Sequence, residues 1–234
     1  METRLLLRNG EQLLLAVVIP LIVLVGGILA AKRIDLKFSH SAVDTLTPGV
    51  LALAIMSTSF TSLAIATGFE RRYGVLKRLG ASPLPRSGLL AGKVGALLLV
   101  EVLQALVIGI AAVLLHWSPA LSPAGVLGAL VCAFAGTAAF ASLGLLIAGA
   151  LRAEATLAAA NLIYLLLMAG GAVVLPSSSY GGFGHVLSYL PSGALGTGMR
   201  AALLEPVFPI REIVILAAWA VLGTVLTARS FKWE

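Results

Sequence analysis

Glu101 stands inside an apolar run from Val94 to Leu115, with Gln104 close behind it. A carboxylate within such a run costs about 2.5–3.5 kcal/mol on insertion scales, so it must face protein or water rather than hydrocarbon. At helical spacing Lys93, Leu97, Glu101, Gln104 and Ile108 share one face, and Glu101 rises about 12 Å above Lys93. Two kinds of chemistry fit it: a pathway or proton-relay position, or one half of a polar contact with a neighbouring helix. The pattern leaves both open.

Other polar side chains sit in apolar surroundings at helical spacing. Ser57, Thr58, Ser59, Thr61 and Ser62 crowd a second run, with Ser57 and Thr61 on one face and Thr58 and Ser62 on the next. Asn161 and Tyr164 form an i, i+3 pair in a later run. Interhelical hydrogen bonding or substrate contact would use either set. Gly136, Ala139, Ser142, Gly144 and Gly149 are small enough to let helices approach closely, which suits a protein that must pair.

Enzymatic constellations are missing. His40, His116 and His185 have no second ligand at helical spacing, and neither H-E-x-x-H nor G-x-S-x-G occurs. The sequence therefore predicts no metal site and no catalytic residue. Gly88-Leu-Leu-Ala-Gly92-Lys93-Val94 is a poor phosphate loop: it has three residues between its glycines where four are needed, and valine where Ser or Thr meets magnesium. Any ATP and magnesium must be bound by another subunit. Cys132, the one cysteine, lies in an apolar run and reads as packing.

The polar residues in sequence between these runs are concentrated in Glu70 to Lys93, which holds six of the sixteen Lys and Arg residues. Tyr73, Leu76, Leu79 and Gly80 recur at helical spacing while Arg71, Lys77 and Arg78 fall off that stripe, which predicts a short amphipathic helix. Pro83 and Pro85 must end it.

The elements that would carry these residues are long and apolar. With 59% hydrophobic and 11% charged residues and a mean hydropathy of +1.04, the 234-residue chain is too apolar for a soluble domain. Its net charge of +6 is spread beside apolar runs, which fits lipid headgroups rather than nucleic acid. About 20 apolar residues cross a bilayer. The expectation is one all-α integral membrane domain with six spans near 13–31, 48–69, 94–115, 122–151, 155–175 and 213–228. The run from Leu13 shows no A-x-A cleavage pattern and reads as an uncleaved span. The glycine-rich fourth stretch implies tilt or a kink rather than two spans.

If Glu70–Lys93 is cytoplasmic, the inner segments hold more than twice as many Lys and Arg residues as the outer ones, so both termini are expected in the cytoplasm. Met1 to Gln12 reads as a short surface helix. The outer segment 176–212 is too long for a plain loop. Leu195, Met199 and Leu203 stripe it, predicting one or two short helices lying in or dipping into the outer leaflet, with their irregular backbone buried in protein or near water.

Glu-Arg-Arg-Tyr-Gly-Val-Leu-Lys-Arg-Leu from Glu70, then Pro83-Leu84 and Gly92-Lys93, resembles the loop after the second helix of type-2 ABC export permeases. The Phe231-Lys-Trp233 tail is similar to that family's ending, and its drug- and antibiotic-export branch is the nearest likeness. Gly80-Ala81-Ser82 departs from the Arg or Lys and Thr frequent there.

The resemblance implies a permease without its own ATP site, multi-pass in a bacterial inner membrane. It would pair with itself or a sister permease and bind an ABC ATPase subunit that holds ATP and magnesium. It further implies a coupling helix between the second and third spans, short re-entrant outer helices between the fifth and sixth, and outward transport of a hydrophobic or amphipathic substrate. By motif, Glu70, Arg71, Arg72, Tyr73, Gly74, Leu76, Lys77, Leu79, Pro83 and Lys93 are the ATPase-coupling residues. Ser57, Thr61, Glu101, Gln104, Asn161 and Tyr164 are candidates for the pathway or for interhelical contacts. The same architecture also suits export of polysaccharide, glycolipid or haem, and an ATP-independent carrier would instead centre on Glu101.

Overall fold

The computed structural model describes residues 10–34, 38–75 and 86–230, and no strand occurs among them. Leu76, Lys77, Leu79 and Pro83, residues 1–9 of the surface helix expected over Met1 to Gln12, and the Phe231–Trp233 tail lie outside the described residues, while Gly10–Gln12 begin the first long helix. The helices are α1 (Gly10–Arg33), α2 (Ala42–Met56), α3 (Leu63–Arg72), α4 (Arg86–Leu114), α5 (Pro123–Ala150), α6 (Ala153–Gly170), α7 (Gly184–Leu187), α8 (Pro191–Leu204) and α9 (Ile210–Ser230). A six-residue π-helical turn, Ser57–Ser62, joins α2 to α3 without a break. A 3-10 turn, Ser177–Phe183, precedes α7.

Among the described residues five helices are long and apolar enough to cross a membrane: Ala42–Arg72, Gly92–Leu114, Pro123–Ala150, Ala153–Gly170 and Ile210–Ser230. The α2–α3 rod is buried more than any other of them and forms the middle of the bundle. Helix α1, 24 residues long, packs along α2. Where lipid tails are as apolar as leucine, helices gain little by hiding leucine from them, so close packing and hydrogen bonds hold such a bundle. Gly144 shows this: a side chain there would lie 2.8 Å from the Phe60 carbonyl of the π turn. Phe60 and Phe140 meet edge to face at 6.3 Å beside that contact.

Several helix boundaries differ from the sequence expectation, and two of the differences have a visible cause. The second span begins at Ala42 rather than Pro48, because Ser41 caps it: its hydroxyl accepts the Asp44 amide at 3.0 Å. Pro48 is then an internal residue of α2. The fifth span stops at Gly170 rather than Leu175. Gly171–Leu175 is irregular backbone whose carbonyls bond to α8, so a tertiary partner replaces the last turn of helix. The long fourth stretch is one helix, started by Ser122 as cap and Pro123 at its first position.

Between α6 and α9 the chain forms two helices, α7 and α8, after the 3-10 turn. Nearly every residue of α8 is buried against α2, α5 and α9. Its first turns lie beside Gly136, midway along α5, and Ala202 lies beside Gly125 at the start of α5.

Candidate coupling site and buried polar contacts

The C-terminal end of α3, the inner end in the orientation expected from the basic residues, is where the basic segment begins, and three charged residues there tie it to three other helices. Lys93 of α4 donates to both carboxylate oxygens of Glu70, at 2.7 and 2.6 Å, in a partly buried pair. The two ends of the 70–93 segment are thereby fastened to one another. Arg71 reaches the opposite way: one guanidinium nitrogen donates to the Gly149 carbonyl at 2.5 Å and the other to the Leu151 carbonyl. These carbonyls lie at the C-terminal end of α5, where the helix has no further amides to offer and its dipole is negative, so a cation fits there. Arg72 pairs with Glu154 in the first turn of α6.

Tyr73 is exposed at this end, stacked on Phe69 at 6.2 Å with the Arg72 guanidinium over its ring. Gly74 takes a left-handed conformation, φ 67°, which turns the chain away from α3 and which a side chain would resist. The structure thus brings Glu70, Arg71, Arg72, Tyr73, Gly74 and Lys93 to one place. The α5–α6 turn is part of that place, and the sequence reading did not include it. The signal available was Arg152 and Glu154 in a very short polar break.

The candidate polar residues of the spans separate into three groups. Glu101 and Gln104 both point into the bundle. Thr137 of α5 donates to Glu101 Oε2 at 2.8 Å, and Thr58 of the π turn donates to Gln104 Oε1 at 2.9 Å. Glu101 Oε1 has no partner among the described residues. Ser57 and Thr61 both fall in the π turn, Thr61 buried and Ser57 partly so. Asn161 and Tyr164 do not act as a pair: Tyr164 is buried while Asn161 is exposed, because the stripe Ala153, Thr156, Ala160 and Tyr164 takes the inward face. Among the described residues no group of three His, Cys, Asp or Glu side chains could hold a metal ion.

One buried charge escaped the residue patterns. Arg200 of α8 is 8% exposed, and its guanidinium donates to the Thr45 carbonyl at 3.3 Å, to Val173 at 2.6 Å and to Val174. Gly49 makes room for it; a side chain there would lie within 2.7 Å of the guanidinium and both valine carbonyls. Arg200 therefore replaces the backbone amides that an unbroken α6 would have supplied. Its only mark in the sequence is a lone cation among the small and apolar residues of 192–204.

Taken together, these features define an all-helical, multi-pass membrane protein in which Glu70, Arg71 and Arg72 tie the end of α3 to α4, α5 and α6. The chain belongs to the ABC-2 family of transporter proteins, which matches residues 36–229. It is a membrane component of an ABC transporter, a class that works with an ABC ATPase. No curated protein and no solved structure matches the chain.

Proposed function

We propose that this chain is the permease subunit of an ATP-driven exporter, with six spans, both termini in the cytoplasm of a bacterium and α1 as the first crossing. ATP and magnesium belong to the separate ATPase subunit, which docks on the 70–80 segment. The observation that carries this reading is the fastening at the inner end of α3. A push on the segment after Arg72 cannot be absorbed by α3 alone, because Glu70, Arg71 and Arg72 hold α4, α5 and α6. Two permeases would enclose the outward path. The buried α8 and the backbone held by Arg200 would serve as re-entrant elements at its outer end.

A hydrophobic or amphipathic substrate, a drug or lipid, suits spans whose outward faces are almost wholly apolar. The test is whether an ATPase subunit co-purifies in mild detergent when the chain is expressed with its native neighbours, followed by substrate-stimulated ATP hydrolysis. Leu76→Asp is expected to insert normally and to lose the ATPase or its stimulation. Full stimulation in that variant would remove the coupling role from this segment.

An ATP-independent carrier acting through Glu101 is the second reading, motivated by the unpartnered Glu101 oxygen. It requires transport that stops in Glu101→Gln and ignores ATP.

A further inference from the structure

The ring of Tyr189 gathers two groups that favour anions. The Arg211 guanidinium lies over it, 5.1 Å from its centre, and the His185 imidazole meets it edge to face at 5.5 Å. Arg211 also reaches within 3.5 Å of the Ser188 hydroxyl, which itself donates to the His185 carbonyl. The Trp219 indole donates to the Tyr189 carbonyl at 2.9 Å, so the segment after α7 is fixed to α9 beside this cluster. A planar guanidinium stacked on a ring keeps most of its N–H groups free, and two of them match two oxygens of a phosphate at once.

The chain supplies this cluster with no anion of its own. Among the described residues no carboxylate pairs with Arg211. Glu212, next in sequence, lies against Gly198 of α8 instead. His185, Tyr189 and Arg211 are all exposed, and no described residue hydrogen-bonds the Tyr189 hydroxyl or the His185 ring.

Depth identifies the partner. Arg211 stands in the first turn of α9, which is long and apolar enough to cross a membrane, so the cluster lies at a headgroup boundary. From there Ile210, Val214, Ala217 and Val221 are exposed at intervals of four, three and four along α9. They make an apolar track about 16 Å long, close to half of the hydrocarbon thickness. A soluble anion gains nothing from that track, whereas a phospholipid uses both parts. A zwitterionic headgroup would bring a second cation up to Arg211, whose charge is uncompensated, and the ring that would otherwise hold that cation is taken.

We propose that Arg211, His185 and the Tyr189 hydroxyl bind the phosphate of an anionic phospholipid, with an acyl chain laid along Ile210, Val214, Ala217 and Val221. The bound lipid links the segment after α7 to α9 at the membrane boundary. This requires only that α9 crosses the bilayer, so it stands or falls separately from the exporter reading and holds whichever side of the membrane this end meets.

The experiment uses the full chain, stripped of lipid in detergent and titrated with phosphatidylglycerol or phosphatidylcholine, with bound lipid counted by native mass spectrometry. Phosphatidylglycerol is expected to bind more tightly, and Arg211→Gln to weaken it about 5-fold, the effect of one cation beside an anionic lipid. Arg211→Lys should recover part of this, since it keeps the charge and loses the planar fork. Lys32→Gln, which removes an exposed cation from the last turn of α1 at the same end, should change little. Bound phosphatidylglycerol should also slow protease cutting within 184–190 in the parent and not in Arg211→Gln. Without lipid, Arg211→Gln is expected to unfold at the parent's temperature, so that lost lipid is not lost fold.

Equal affinity for the two lipids overturns the proposal, as does unchanged binding in Arg211→Gln. Lys32→Gln weakening the lipid as much as Arg211→Gln would replace the site with diffuse surface charge. Displacement of the lipid by excess inorganic phosphate would make it a site for a free anion, which also overturns it.

Discussion

The two ends of the bundle, the α3 end that is inner and the α8 end that is outer in the proposed orientation, hold their charges in opposite ways. At the inner end, cations meet carboxylates and a helix terminus near the surface; the Arg72 and Glu154 side chains are 50% and 64% exposed. At the outer end, Arg200 is buried and bonds only to backbone carbonyls among the described residues. Near-surface ion pairs can exchange partners or water at little cost, since an exposed pair contributes about 0–1 kcal/mol. Buried carbonyls that lose their donor have no such recourse and cost about 1–3 kcal/mol each. The inner end is therefore suited to move, and the outer end to hold an irregular backbone in one shape.

The sharpest way to break this contrast is Arg200→Leu. Three carbonyls lose their donor, and a loss on the order of 3–5 kcal/mol is expected from the unmet polar groups. It should appear as a large drop in thermal unfolding temperature in detergent and as new protease cuts in 171–190. A variant as stable as the parent would mean that water or lipid takes over the guanidinium's role. Gly49→Val attacks the same place by overpacking, and about 1–3 kcal/mol or more is expected by the same measurement.

At the inner end the effects on stability should be smaller and those on coupling larger. Lys93→Gln removes the partly buried partner of Glu70, with an expected stability loss of about 1 kcal/mol but a clear fall in substrate-stimulated ATP hydrolysis. Exchanging the two residues, Glu70→Lys with Lys93→Glu, should restore much of that stimulation; no recovery would count against the ion pair as the fastening. Glu154→Gln should be the mildest, under about 1 kcal/mol, and the parent's advantage over it should shrink as salt rises.

Glu101→Gln sharpens the comparison from within the span. The amide can still accept from Thr137, so transport is expected to persist if the group is an interhelical contact. Abolished transport with normal unfolding would move Glu101 from packing to pathway.

Of the six spans expected from composition, five are helices long and apolar enough to cross a membrane among the described residues, since hydrocarbon thickness alone dictates how long such a run must be. The basic segment was legible through its motif, and Glu101 and Gln104 through the cost of leaving them in lipid. Other features depended on distant partners. Nothing near Leu175 says that α6 must stop at Gly170; Ser192 and Arg200 decide it by capturing the carbonyls of Gly171, Val173 and Val174. Asn161 and Tyr164 looked equivalent until packing placed one inside and one outside. The π turn, likewise, forms where α5 comes close at Gly144.

The sequence by itself determined that this protein lives in a membrane, since hydropathy is a local property of the chain. Only the tertiary structure decided which polar groups satisfy one another and which are left facing outward. Hydrogen bonds between helices depend on rotation and depth, and neither is written in any one segment.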